Sequence, residues 1–146
     1  MFRHEFEALW AERDKCVMED ITWRRPPGVR KDLFCFDYVP VVCQSGIELG
    51  VNGSYSCPTG ASTFNFTVNG LGPISRYCVG GTEHKEASRY HQHILIHEKH
   101  VRQNLPYAEA RPNMEGMTPK QAWDYICQEA DITHTGQFFE PEVDCP

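Results

Sequence analysis

The chain has no Cys-x-x-Cys pair, no Walker A loop, no Gly-x-Gly-x-x-Gly fingerprint and no surplus of basic residues. The two missing glycine motifs leave no recognisable phosphate-cradling loop. The formal charge of −6, with a sequence pI near 5.6, excludes a general nucleic-acid surface, which needs a basic face to release counterions. A long duplex is therefore not an expected partner. No apolar run approaches the roughly 18 residues that a membrane helix needs. Met1-Phe2-Arg3-His4-Glu5 opens a charged amphipathic pattern instead of an apolar leader. These absences set the expectation of a soluble, cytoplasmic chain with no membrane partner. In that setting the seven cysteines, an odd number, read as reduced and mostly buried thiols. The sequons Asn52-Gly53-Ser54 and Asn65-Phe66-Thr67 then read as accidental.

What is present fits one domain spanning residues 1–146, with no internal repeat. A chain of this length buries roughly 68–70% of its unfolded surface, enough to fold without a metal or a disulfide. Phe2, Phe6, Leu9, Trp10 and Val17 recur at helical spacing, which predicts a helix over residues 2–19, within a helical segment 1–20. Pro26-Pro27 ends it, and Arg24, Arg25, Arg30 and Lys31 around that pair read as a solvated linker. Residues 32–100 read as strands. Leu33 to Cys43 is aromatic and β-branched, with Pro40 marking an edge or a bulge. Asn52-Gly53 and Asn69-Gly70 read as hairpin turns, and Phe64, Phe66 and Val68 alternate with polar residues. Strands from Ile74 to Val79 and from Tyr90 to His97 follow, joined through Gly80-Gly81. Residues 101–117 read as a long loop. Thr118-Pro119-Lys120-Gln121 is a capping box that opens a helix over 119–130, inside the segment 118–131. An acidic tail closes the chain over 137–146. The fold class is α+β, an antiparallel sheet of about five strands with the N-terminal and C-terminal helices packed on one face.

The densest chemistry is imidazole. His84, His91, His93, His97 and His100 are five of the seven histidines and fall within residues 84–100. Strand alternation puts His91, His93 and His97 on one face and Ile94 and Ile96 in the core. The imidazole face is then expected to meet solvent, the 101–117 loop or a partner subunit. At roughly 3.3 Å rise per residue, His91 and His93 lie about 7 Å apart along the chain, close enough to converge.

Three functions follow. The leading expectation is a pocket that binds a small phosphate-bearing ligand, a nucleotide or short RNA; if the chain is an enzyme, the expected reaction is phosphodiesterase-like cleavage. His91 and His93 would serve as acid and base, with Arg89, Arg102, Asn104, Tyr107 and Arg111 binding the ligand. The alternative is a zinc-like transition-metal site on His91 and His93. Its third ligand is His134, with His84, Cys78 or a carboxylate as the other candidates. His97-Glu98-Lys99-His100 is one residue short of the metalloprotease His-Glu-x-x-His and does not carry that chemistry. The third reading is a protein-interaction or inhibitor module, docking through the sheet face or the tail. A homodimer through the imidazole face is expected as well. The local signature needed for a cysteine nucleophile is absent.

Overall fold

The computed structural model describes residues 1–28, 32–81, 88–95, 105 and 107–141. In chain order the elements are α1 (Arg3–Ala11), β1 (Lys15–Val17), β2 (Leu33–Val41), β3 (Leu49–Ser56), β4 (Ser62–Val68), β5 (Gly72–Val79), β6 (Tyr90–Ile94), β7 (Ala108–Ala110), a single 3-10 turn at Pro112–Met114, α2 (Pro119–Ala130) and β8 (Ile132–His134). Strands β2 to β7 form a six-stranded antiparallel meander in sequence order, while β1 and β8 form a separate parallel pair. The class is α+β, with one strand more in the main sheet than the sequence suggests. The extra strand is β7, which lies inside the stretch read as a loop and pairs with β6 through His91–Ala110 and His93–Ala108.

The expected first helix stops early. Asp14 takes a left-handed conformation (φ 59°), which turns the chain out of the helix before Lys15 begins β1. Lys15 is fully buried, and its ammonium donates to the carbonyls of Leu9 (3.0 Å), Trp10 (2.9 Å) and Glu12. It thus closes the C-terminus of α1 with a cation, where the helix dipole is negative. Burial holds this ammonium below its ordinary pKa, against the charges of Cys43, Glu12 and Asp131.

Asn52-Gly53 is not a turn but lies within β3. Gly53 serves close packing, since a Cβ there would sit 2.2 Å from Cε1 of Phe36. Asn69-Gly70 does turn the chain, with Gly70 at φ 77°. Pro40 fits both of its readings. It sits exposed on the edge strand β2, next to a register shift between Phe36 and Val39.

The core is aromatic. Trp123 of α2 stacks on Phe64 and Phe66 of β4 at 5.9 and 6.4 Å. Trp10 of α1 meets Phe66 edge-on at 4.9 Å and stacks on Tyr77 at 6.2 Å. Each such ring contributes roughly 1.5–3 kcal/mol by burial, plus about 0.5–1.5 kcal/mol per well-placed aromatic pair. The capping box is made as expected: Gln121 N–H donates to Thr118 Oγ1 at 3.2 Å and Thr118 N–H to Gln121 Oε1 at 3.0 Å.

Part of the expected tail is structural. Phe138 packs on Trp123, and Phe139 N–H donates to Ile21 C=O at 3.0 Å. In the cationic run, Arg24 pairs with Asp37 and Arg25 lies over Phe34, while Arg30 and Lys31 are outside the described residues. Five cysteines carry free thiols, but Cys57 is disulfide-bonded, so the expectation of reduced thiols fails there. No described helix is long and apolar enough to cross a membrane.

Candidate metal centre

The pairing of β5 with β6 places Cys78 opposite His91 and Arg76 opposite His93. Residues directly opposite share a face, so these four side chains emerge together. Gln92 and Ile94 point the other way. Cys78, His91 and His93 are all buried, the two histidines at 1% and 3% exposure. The expected imidazole face is therefore not a solvent surface at this end of the strand. The 101–117 segment does reach it, through the Leu105 carbonyl that bonds His93.

The hydrogen bonds fix the tautomers. His91 Nδ1 lies 2.6 Å from Ser88 C=O, and His93 Nδ1 lies 2.7 Å from Leu105 C=O. A carbonyl oxygen only accepts, so both Nδ1 atoms carry hydrogen. In a neutral ring the other nitrogen then holds the lone pair. The two Nε2 atoms are 3.1 Å apart. A shared proton or a cation between them would join the two nitrogens at that distance.

One ring nitrogen of each histidine and the Cys78 sulfur all lie within 4.8 Å of one another. For zinc–nitrogen bonds of about 2.0–2.1 Å, a tetrahedral site separates two nitrogens by about 3.3 Å. The observed separation is within a few tenths of that. Burial pushes the Cys78 thiol up, while the charge of Arg76 and its hydrogen bond to that side chain pull in the opposite direction.

Among the described residues, the other expected site residues do not join this cluster. His134 accepts from Trp123 Nε1–H at 3.0 Å, and its Nε2 faces Glu19 C=O at 2.8 Å. Both ring nitrogens are thus satisfied, and the expected third metal ligand is a structural histidine of the β8 end. Arg111 lies on the opposite face of β6. It donates to Gln92 Oε1 at 2.7 Å and Glu109 Oε2 at 3.2 Å, and its Nε sits 3.4 Å from Glu129 Oε1. Tyr107 is overlaid by the Arg3 guanidinium at 5.4 Å. Arg89 is exposed at the start of β6, where its carbonyl accepts from Gly80 N–H. Arg102 and Asn104 lie outside the described residues, as do His84, His97 and His100.

Arg76, one of the arginines near the histidine strand in sequence, stands beside Cys78, and only the pairing register brings it to the histidines. One feature escapes the sequence altogether: a buried network on the other face, where Trp10 Nε1–H donates to Tyr77 Oη (3.3 Å) and Tyr77 O–H to Glu129 (2.7 Å). Burial, then the Glu129 charge, hold the Tyr77 phenol well above its ordinary pKa. Arg111 closes this network and borders a cleft of about 260 Å³ with Arg3, Phe6, Trp10 and Glu109. Its charges are matched within the protein. No model of a known protein family, no curated protein and no solved structure matches the chain.

Proposed function

We propose that the chain binds one transition-metal ion, zinc-like in its preferences, through Cys78 Sγ, His91 Nε2 and His93 Nε2. One observation carries this reading: two buried imidazoles, each with Nδ1 on a carbonyl, direct their Nε2 atoms at each other across 3.1 Å. A cation between them would be bonded by both nitrogens. A carbonyl on Nδ1 is the usual outer partner of a metal-bound histidine, fixing ring orientation and raising ligand basicity. A thiolate with two imidazoles is a donor set that suits zinc. Three protein ligands leave a fourth position, and zinc sites of that kind supply a Lewis acid or an activated water.

The acid–base reading of the same histidines rests on a proton shared between the two Nε2 atoms. The phosphate-pocket reading is less favoured, because Arg111 is engaged on the far side of β6. Native mass spectrometry beside a denatured spectrum separates the two. The metal reading expects one ion per chain, retained in His134→Ala and lost in His91→Ala and His93→Ala. A metal-free mass, together with no uptake of added zinc, would sink it and leave the proton-sharing pair.

A further inference from the structure

The outer face of the sheet continues sideways from the metal ligands. One cross-strand row runs His93, Arg76, Asn65, Asn52, and the next runs His91, Cys78, Thr63, Ser54. Neighbouring strands are about 4.7–4.9 Å apart, so Arg76 stands one strand from His93 and Asn65 two. Arg76, Asn65, Thr63 and Asn52 are all half-buried, a band between the closed ligand cluster and open solvent. Its other polar groups are neutral. Ser54 and Thr63 share a hydroxyl–hydroxyl bond of 2.6 Å, and Asn65 Nδ2 donates to Thr67 Oγ1 at 3.3 Å.

Charge is the informative quantity in this band. A divalent ion with one thiolate and two neutral imidazoles keeps one positive charge, and Arg76 adds a second. Arg3, Arg24 and Arg111 are each paired with a carboxylate, whereas Arg76 has no such pair among the described residues. No Asp or Glu stands in either row. A partly desolvated pair of positive charges calls for a counter-anion, and bound ions dominate the local field. The guanidinium presents up to five N–H donors in a fork that matches carboxylate and phosphate oxygens.

Resting on the metal reading above, we propose that the fourth position of the ion takes an oxyanion, a carboxylate or phosphate oxygen, held by Arg76 with Asn65 beside it. The phosphate-bearing ligand expected from the sequence would thus be met by Arg76, on the histidine face, and not by Arg111. The ligand class is small molecules that carry an exposed carboxylate or phosphate group.

The test uses the full chain loaded with cobalt(II), whose visible absorption reports its coordination. Sodium acetate and inorganic phosphate are titrated separately. A saturable spectral change is expected, and whichever anion acts at the lower concentration identifies the source. Arg76→Gln should weaken that anion at least about tenfold while cobalt stoichiometry stays at one, and Arg76→Lys should lose less. Should Arg76→Gln fail to load cobalt, Asn65→Asp carries the same expectation, because its carboxylate would neutralise Arg76 in place of the added anion. No cobalt uptake by the wild type would overturn the metal reading and this one with it. Cobalt bound with a spectrum indifferent to both anions, or shifted equally in the variants, would overturn the oxyanion site alone.

Discussion

Among the described residues, two places set a cysteine near histidine, and they are chemically unlike. Cys78, His91 and His93 lie on the outer face of β5 and β6. Cys127 and His134 border an open cleft of about 500 Å³ beside α2 and β8. At the second place the imidazole is complete as a neutral ring, accepting an indole N–H on one nitrogen and facing a carbonyl on the other. Burial, then Asp124, push the Cys127 thiol up to about 12, against Lys120. At the first place both rings donate from Nδ1 and confront each other through Nε2, and the charge beside the sulfur is the cation Arg76. Nearness of thiol and imidazole therefore says little by itself. What distinguishes the ligand set is convergence: both imidazoles anchor Nδ1 on a carbonyl and turn Nε2 toward each other across 3.1 Å.

The largest expected difference between the two places is the response to metal. A ligand that binds only the native state stabilises it by about 4.1 kcal/mol at a thousand times its dissociation constant. Zinc at that excess should raise the melting temperature of the wild type by a corresponding amount, reversed by chelator. The shift should disappear in His91→Ala and survive in His134→Ala and Cys127→Ala. An equal shift in all four proteins would break the comparison, because the ion would then bind elsewhere.

The next effect runs the other way and needs no ion. His134→Ala removes the acceptor of the buried Trp123 indole N–H and the contact with Glu19, which joins β8 to the segment after β1. A buried donor left without a partner costs about 1–3 kcal/mol. Chemical denaturation in the presence of chelator should show that loss for His134→Ala. Metal content should stay unchanged. A variant as stable as the wild type would mean that His134 is not structurally engaged.

Local sequence signals proved readable where the interaction itself is local. Thr118 and Gln121 are three residues apart and bond each other, and Gly70 supplies the positive φ its turn needs. Pro40 cannot donate to a ladder and sits on the edge strand. Asn52-Gly53 carries the same turn chemistry as Asn69-Gly70, yet it lies in a strand, because Phe36 from β2 packs over the bare Gly53. The end of α1 likewise depends on a distant pairing. Lys15 to Val17 match Ile132 to His134, more than a hundred residues away, and no spacing within residues 2–19 announces it. The site follows the same rule. Alternation along one strand puts His91 and His93 on a common face, but their convergence depends on a register that a one-residue shift would reverse. Cys78 was one third-ligand candidate among several, and only the β5–β6 register selects it over His134. Arg111 fell on the wrong face because Gln92, its partner, alternates with the two histidines.

The smallest expected effect separates the two thiols. The Cys127 pKa is moved from an ordinary 9.0 to about 12 in the folded chain, so the folded state keeps the thiol protonated after the unfolded state has begun to lose its proton. The folded value is the higher one. The contribution to stability is therefore complete below about pH 9 and is lost as pH rises from there toward about 12. Cys127→Ala should be less stable than the wild type near neutral pH, from the small void left in the wall of α2. The gap between the two should narrow as denaturation is repeated at rising alkaline pH. A gap independent of pH would show that Cys127 is not held as a thiol by its surroundings. Alkylation sharpens the contrast at fixed pH. Iodoacetamide should reach Cys78 only after chelator removes the ion, whereas labelling of Cys127 should be slow and indifferent to chelator. Chelator-dependent labelling of Cys127 would move the metal to the α2 side of the molecule, against the geometry of both histidine sites.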